Sequence, residues 1–361
     1  MNNRGLSLPM RVLCAIVFCT FSFCYLYFYQ ADLMIVSQHL ASRGQTHYVP
    51  LTGAVLITIA LLLIQTGVYK LTRLYKRSHA LTYLPSASVL VFITSLPSDV
   101  TDEISIGWRS LWFLFAIVLF FAVAFFLRRV QSIEPEVRWA GISSQLTWMN
   151  LSVLFLMLWG VCLLSNTDEM FHRQIRMERM IMEHDVEGAI EVGQQTQKTS
   201  PSLALVRGYA LTLRRQMGDR FFEVPVPKGS SCLIPDRKGV RTLLLPREHV
   251  EWVAQKGVDF QLTKLLLDRK LDAFAHLLRK YYDFSKPLPK HYREALMIYG
   301  YIFPHPFLTF KNEKLAREFT EFRKMAKVDN SRSSATLGAE ERQKLHQQYG
   351  KTYWYYYFMN L

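Results

Sequence analysis

Three groups of side chains combine residue types and spacings that could do chemistry. Met177, Met180 and His184 are three and four residues apart, with Met170, His172 and Met182 close by, so a helix would carry the first three on one face. Thioether sulfur with imidazole suits Cu(I). Methionines filling an irregular helix–helix core, with solvated histidines, account for the same letters. His291 and Glu294 stand one helical turn apart, a spacing that serves a metal when a second such pair faces it; no second pair is visible. The plainer reading starts a helix after Pro289 with Arg293 and Glu294 in water. Asp32, His39, Arg43 and His47 form the third group, a small polar site between two apolar runs, although a turn at Gly44 with interfacial polar residues explains them too. None of these groups is complete enough to assign a metal, and no cofactor is assigned.

Recognised catalytic signatures are missing. There is no Gly-x-Ser-x-Gly elbow, no His-Glu-x-x-His and no Gly-rich phosphate loop before Lys-Ser/Thr, and Lys228–Ser231 between prolines reads as a surface loop. The five cysteines (Cys14, Cys19, Cys24, Cys162 and Cys232) include no Cys-x-x-Cys pair, and four of them lie in apolar runs. These absences point away from an enzyme.

The elements that would position such residues divide sharply by solvent. Before Asn166 the chain carries 11 Lys/Arg and 6 Asp/Glu; from Asn166 onward it carries 32 and 23. The expected fold is all-α, with a transmembrane bundle over 1–165 and a soluble helical domain over 166–361. Five spans are predicted at about 10–29, 51–69, 81–96, 111–127 and 146–164, each near the length that crosses a hydrocarbon core. The third is the weakest: it is short and hydroxyl-rich, with Pro85 near one end. Counting it gathers Arg4, Arg11, Lys70, Arg73, Lys76, Arg77, Arg128, Arg129 and Arg138 on one side. Only Arg43 and Arg109 are left on the other, beside Asp99, Asp102 and Glu103. By the positive-inside rule the N-terminus is then cytoplasmic and the C-terminal domain periplasmic, in the inner membrane of a bacterium. No Asp, Glu, Lys or Arg occupies the middle third of any span, which argues against an ion-coupled transporter. The net charge of +14 is spread along the chain rather than clustered, so nucleic acid is not an expected partner.

In the second half, Asp185-Val186-Glu187-Gly188-Ala189-Ile190-Glu191 resembles the opening of the second helix of a tetratricopeptide repeat. Pro201 stands twelve residues after Ala189, where that repeat closes, and Met217-Gly218-Asp219 falls at the next repeat's turn. The repeat's large aromatic and its first-helix glycine are absent, and Phe222–Pro227 (FEVPVP) breaks the second copy. Further helices are predicted over Arg247–Lys256, Asp259–Asp268, Lys270–Asp283, His291–Phe303, Asn312–Lys327 and Ala339–Tyr349. The terminal Tyr353–Phe358 run either rests at a membrane interface or caps the helical stack, with packing favoured.

The whole chain is also similar to an uncharacterised family of bacterial multi-pass membrane proteins classified only as a domain of unknown function. Tyr27–Asp32, Gln45–Tyr48, Tyr281–Pro289, His291–Ala295 and Thr352–Tyr357 carry that resemblance. It implies a membrane-bound architecture with a helical-repeat tail and brings no activity. The expectation is therefore a scaffold in the lipid bilayer whose TPR-like domain docks a protein or peptide partner through Arg173, Arg207, Tyr209 and Arg214. The alternative is a membrane enzyme or carrier for a lipid-linked or envelope substrate, using Asp32, His39, Arg43 and His47.

Overall fold

The computed structural model describes the chain outside residues 1–7, 75, 96–107, 132–143, 195–197, 228, 236–238, 330–331, 334–336 and 360–361. Arg4, Asp99, Asp102, Glu103, Arg138 and Lys228 fall outside the described residues. Two compact units divide the chain, Met1–Asp168 and Glu169–Leu361.

The first unit is built from α1 (Leu8–Cys24), α2 (Ala31–Ser42), α3 (Pro50–Thr72), α4 (Leu84–Thr94), α5 (Trp108–Gln131) and α6 (Gln145–Leu164). A π-turn, Tyr25–Tyr29, continues α1, and a 3-10 stretch, Lys76–Tyr83, leads into α4. Among the described residues three helical segments are long and apolar enough to cross a membrane: Leu8–Tyr29, Pro50–Thr72 and Gln145–Leu164. That is fewer than the five expected. α4 has 11 residues and rises only about 16 Å, and the 3-10 stretch before it adds about 16 Å. α5 has 24 residues, though several of its side chains are outside the described set. The segment expected as an outer loop after Gln30 is largely the helix α2, because Ala-Asp-Leu-Met-Ile-Val contains no breaker before Gly44.

Packing in this unit reverses the rule for water. On α3 the inward stripe is Ala54, Thr58, Leu61, Gln65, Val68 and Thr72, a three–four repeat with polar groups inside. Leu56, Ile59, Leu63 and Leu71 face outward, Leu63 at 67% exposure. α6 does the same, burying Thr147 and Asn150 while Trp148, Phe155, Leu156, Trp159 and Leu163 face out. An apolar exterior on this scale matches hydrocarbon as solvent, where interior hydroxyls and amides bind one another. The Gln65 amide donates to Thr82 Oγ1 at 2.9 Å, and Ser86 Oγ to the Leu61 carbonyl at 2.8 Å.

Two bonds fix the run of the weak segment. The Ala80 N–H donates to Asn150 Oδ1 at 2.8 Å, and the Thr94 and Ser165 hydroxyls meet at 2.8 Å. Residues 80–94 thus lie parallel to residues 150–165, matched at both ends. At the Ala80 end the Arg11 guanidinium stands 4.3 Å over the Tyr69 ring. The N-terminus of α1 and the C-terminus of α3 meet there.

The second unit comprises α7 (Glu169–Met182), α8 (Val186–Gln194), α9 (Pro201–Leu213), α10 (Met217–Arg220), α11 (Arg247–Lys256), α12 (Val258–Leu267), α13 (Leu271–Tyr281), α14 (Lys290–Ile302), α15 (Glu313–Met325), α16 (Ala339–Tyr349) and α17 (Tyr353–Met359). One two-residue strand pair, Val328–Asp329 with Arg332–Ser333, follows α15. α7 and α8 form a hairpin closed by His184 in the left-handed conformation, and α9 packs on both. Asp185 Oδ1 accepts from the Gly188 N–H and Ser200 Oγ from the Leu203 N–H, so both following helices are capped by their own sequence. Pro201 opens α9.

The hairpin that should follow stops early. α10 is four residues long and passes through a 3-10 turn, Phe221–Glu223, into an extended Val224-Pro225-Val226. Gly218 serves a close approach, since a Cβ there would press on Pro289 and Tyr292. Asp219 Oδ1 accepts from the Lys290 N–H at 2.7 Å, satisfying an orphan donor at the start of α14. The repeat-like Gly-Asp pair thus seats α14. A single apolar core runs through the unit, including Phe260, Phe274, Tyr292, Phe322 and Trp354.

Candidate functional site

In the first unit the four polar residues singled out from sequence separate into two places. Asp32 is buried at the start of α2, next to the π-turn. His39 lies seven residues further along α2, about 10 Å by helical rise. Arg43 ends α2 in the left-handed conformation, and both it and His47 are exposed. The His39 ring lies against Gly44, and burial followed by the nearby His47 lowers its pKa. His39, Arg43 and His47 remain neighbours, and Asp32 belongs to another cluster. That cluster includes Gln30, whose amide donates to the Tyr25 hydroxyl at 2.9 Å and to the Asn166 carbonyl at 3.2 Å. π-turns are frequent at functional positions because they re-aim side chains. Here the turn leaves Phe28 and Tyr29 outward and Tyr25 inward.

The four residues proposed for partner binding separate as well. Arg173 pairs with Glu169 at 2.6 Å and Arg214 with Glu187 at 3.0 Å, both toward the surface. Arg207 and Tyr209 are core residues, 1% and 5% exposed. Arg207 donates to the Phe221 carbonyl at 3.3 Å and its guanidinium faces the Phe221 ring, while Nε and Nη1 have no hydrogen-bond partner. Burial lowers its pKa to about 10, so it stays charged at neutral pH. Neither core residue is offered to a partner. Their helix α9 is enclosed by α7, α8 and the segments after α10, and that enclosure is a long-range effect no local pattern announces.

The metal readings also take their places. Met177 is in the core and His184 is exposed at the end of α7, so the face they share by spacing does not converge. His291 and Glu294 are buried rather than solvated, at 0% and 2% exposure. His291 Nδ1 and Glu294 Oε2 lie 3.0 Å apart. The same oxygen accepts from the Tyr353 N–H at 2.7 Å, and the Trp354 indole donates to the Glu294 carbonyl at 2.9 Å. The pair anchors α17. Among the described residues no three His, Cys, Asp or Glu side chains gather as they would for a metal ion.

A groove of about 870 Å³ in the second unit has room for a ligand. One wall is the broken hairpin: Gln194, Phe222, Glu223 and the extended Val224–Val226. The other is the corner between α16 and α17, with Arg342, Gln343, His346, Gln347, Lys351, Tyr355 and Tyr356. Helical periodicity places Arg342, His346 and the adjacent pair Gln343, Gln347 on neighbouring lines of α16. His346 rests on Tyr355 with ring centroids 5.2 Å apart, and a Cβ at Gly350 would collide with the His346 ring. Gly350 is therefore what lets the corner turn tightly enough to present both.

The electrostatics of the groove favour an anion. Glu223 is its one lining carboxylate and is already compensated by Arg220 at 3.6 Å and Lys290 at 3.9 Å. Arg342 and Lys351 are exposed on the opposite wall. Burial raises the pKa of Tyr355 and Tyr356, so both phenols are neutral at physiological pH; Tyr356 donates its proton to the Leu267 carbonyl at 3.1 Å. Sequence reading predicted the helix Ala339–Tyr349 but not the groove, because the facing wall lies more than a hundred residues earlier. The interpretable local signal was FEVPVP, an extended apolar–proline strip that cannot continue a helix.

These features define a helical protein that joins an apolar, lipid-compatible bundle to a helical unit with an open, cation-rimmed groove. Residues 254–360 match a family of unknown function, DUF6057. The match covers all of α12 through α17, and so one wall of the groove. No curated protein and no solved structure matches the chain.

Proposed function

We propose that the protein is a membrane-anchored docking protein that holds an extended, acidic protein segment in the groove between Val224–Val226 and the α16–α17 corner. The observation that carries this reading is the groove itself. It is open, with the apolar Val224–Val226 strip along one wall, Arg342 and Lys351 along the other, and the neutral phenol of Tyr355 in its lining. Such a surface supports retention of a ligand.

Five membrane crossings are part of the proposal. Residues 80–94 accompany 150–165 from end to end, which supports reading the weak segment as a crossing. The last crossing then ends opposite the basic end, and the second unit follows in the periplasm of a bacterium. The hairpin of α7 and α8 with α9 supports a TPR-like beginning to that unit.

The test is photo-crosslinking in intact cells, using the full chain with a photoreactive residue at Gln343 or Gln347. Discrete protein adducts are expected from both, with none from Lys314 or Arg317 on exposed turns of α15. Substituting Arg342 and Lys351 by Glu should abolish the adducts. Equal labelling from groove and control positions would refute a docking groove.

A further inference from the structure

A second cavity lies in the first unit, on its lipid-compatible exterior. It is an apolar crevice of about 250 Å³ between the 3-10 stretch, α4 and α5, lined by Leu74, Leu84, Ser88, Ala116, Phe120 and Leu127 among others. Ser88, the polar lining residue, spends its hydroxyl on the Leu84 carbonyl at 2.9 Å, so the crevice offers an incoming group only hydrocarbon. At one end stand Leu74 and Leu127, which pack into the same small cluster with Phe120 and Ala124. Arg73 and Arg128 adjoin these two residues in sequence, and both are exposed, as is Arg77. Arg73 closes α3 in the left-handed conformation, which turns the chain at that level. Among the described residues no acidic one lines the crevice.

An apolar slot open to hydrocarbon, with arginines at one end, has the two-part chemistry of an anionic lipid. The acyl chain fills the slot and the phosphate meets guanidinium groups at the interface, where each basic residue contributes about 1 kcal/mol of attraction and pairs with phosphate oxygens bidentately. We propose that this crevice binds an anionic glycerophospholipid, one acyl chain against Leu84, Ala116 and Phe120 and the headgroup on Arg73, Arg77 and Arg128. A zwitterionic lipid would satisfy the slot but not the charge. The proposal rests on the membrane reading of the first unit and is independent of the docking groove.

Native mass spectrometry of the full chain in non-ionic detergent tests it, with phosphatidylglycerol or phosphatidylethanolamine of identical acyl chains added. Phosphatidylglycerol is expected to be retained with roughly tenfold preference, the size given by one to two of the arginines. Arg73→Gln with Arg128→Gln should bring the preference close to one. Ala116→Trp, and separately Ser88→Phe, should reduce occupancy by either lipid while the chain stays monodisperse. Equal binding of the two lipids by the unaltered chain would overturn the proposal, as would a preference surviving the double substitution or occupancy unaffected by both fillings. Alkaline carbonate extraction of membranes separates the two levels. Release of the chain removes the membrane reading itself, whereas retention without lipid preference removes the crevice site alone.

Discussion

Glu178 is fully buried on α7. Its Oε2 accepts from the N–H groups of Leu243, Leu244 and Leu245 at 2.8, 2.6 and 3.2 Å, and Oε1 accepts from Gln174 at 2.7 Å. A charged residue flanked by Arg176 and Arg179 reads in sequence as a solvated helix face, and nothing local marks the loop that wraps it. Replacing it with alanine strips three backbone donors of their acceptor, each worth about 1 kcal/mol, so Glu178→Ala should lose about 3 kcal/mol. Glu178→Gln keeps one acceptor oxygen and should lose less. Burial pushes the carboxyl above its ordinary range, against the opposing pull of the Leu244, Gln174, Leu243 and Leu245 bonds. Folding therefore favours the protonated form. Its contribution is complete below the ordinary carboxylate range and is lost as pH rises through the raised folded value. Pulse proteolysis of the full chain in urea, across pH, should show wild type losing stability relative to Glu178→Gln in that window. An alanine variant as stable as wild type would remove the clamp from the account.

At the scale of elements, the helices of the second unit were the most legible part of the chain. Arg247–Lys256 and Ala339–Tyr349 have the predicted ends, and the four helices between them agree within a few residues. Their boundaries are chemical and local: Pro246, Pro289 and Asn312 precede α11, α14 and α15, the Asn312 side chain accepting from the Leu315 N–H, and Gly257 separates α11 from α12. What sequence could not show is which elements close on one another. α17 is the clearest case. Tyr353 and Trp354 are 0% and 1% exposed, and the terminal aromatic run packs on α14. Tyr282 and Tyr292 both donate to Asp259 Oδ1, at 2.6 and 3.0 Å. The motif residues from Tyr281 to Ala295 and from Thr352 to Tyr357 are therefore parts of one core assembly. Trp354→Ala should cost about 3–5 kcal/mol and expose α14–α17 to protease. Trp354→Phe should lose mainly the indole bond to the Glu294 carbonyl, about 1 kcal/mol. Equal protease resistance of wild type and the alanine variant would mean that α17 is not a structural cap.

At the scale of the whole molecule the question is the side on which the second unit emerges. The split in charge density told of two solvents, and the outward leucines and tryptophans of α3 and α6 bear that out in packing. The count of crossings was harder to read, because α4 is too short by itself and its partner bonds to Asn150 and Ser165 connect residues about 70 positions apart. Those bonds support the proposal of five crossings. A segment parallel to α6 along its length crosses whenever α6 crosses. Tyr69, in the last turn of α3, lies beside Arg11, which returns the chain to the side where α1 began. With α5 descending between them, α1, α4 and α6 run one way and α6 ends away from the arginines. On the five-crossing proposal, the positive-inside rule places those arginines in the cytoplasm. An alkaline phosphatase fused at Thr167 in a bacterial host should be active, and a β-galactosidase at the same position inactive. Fusions at Arg77 should show the opposite pair. If the Thr167 fusions behave like the Arg77 fusions, the weak segment does not cross, the basic loops lie on two sides, and the groove would have to find its acidic partner in the cytoplasm.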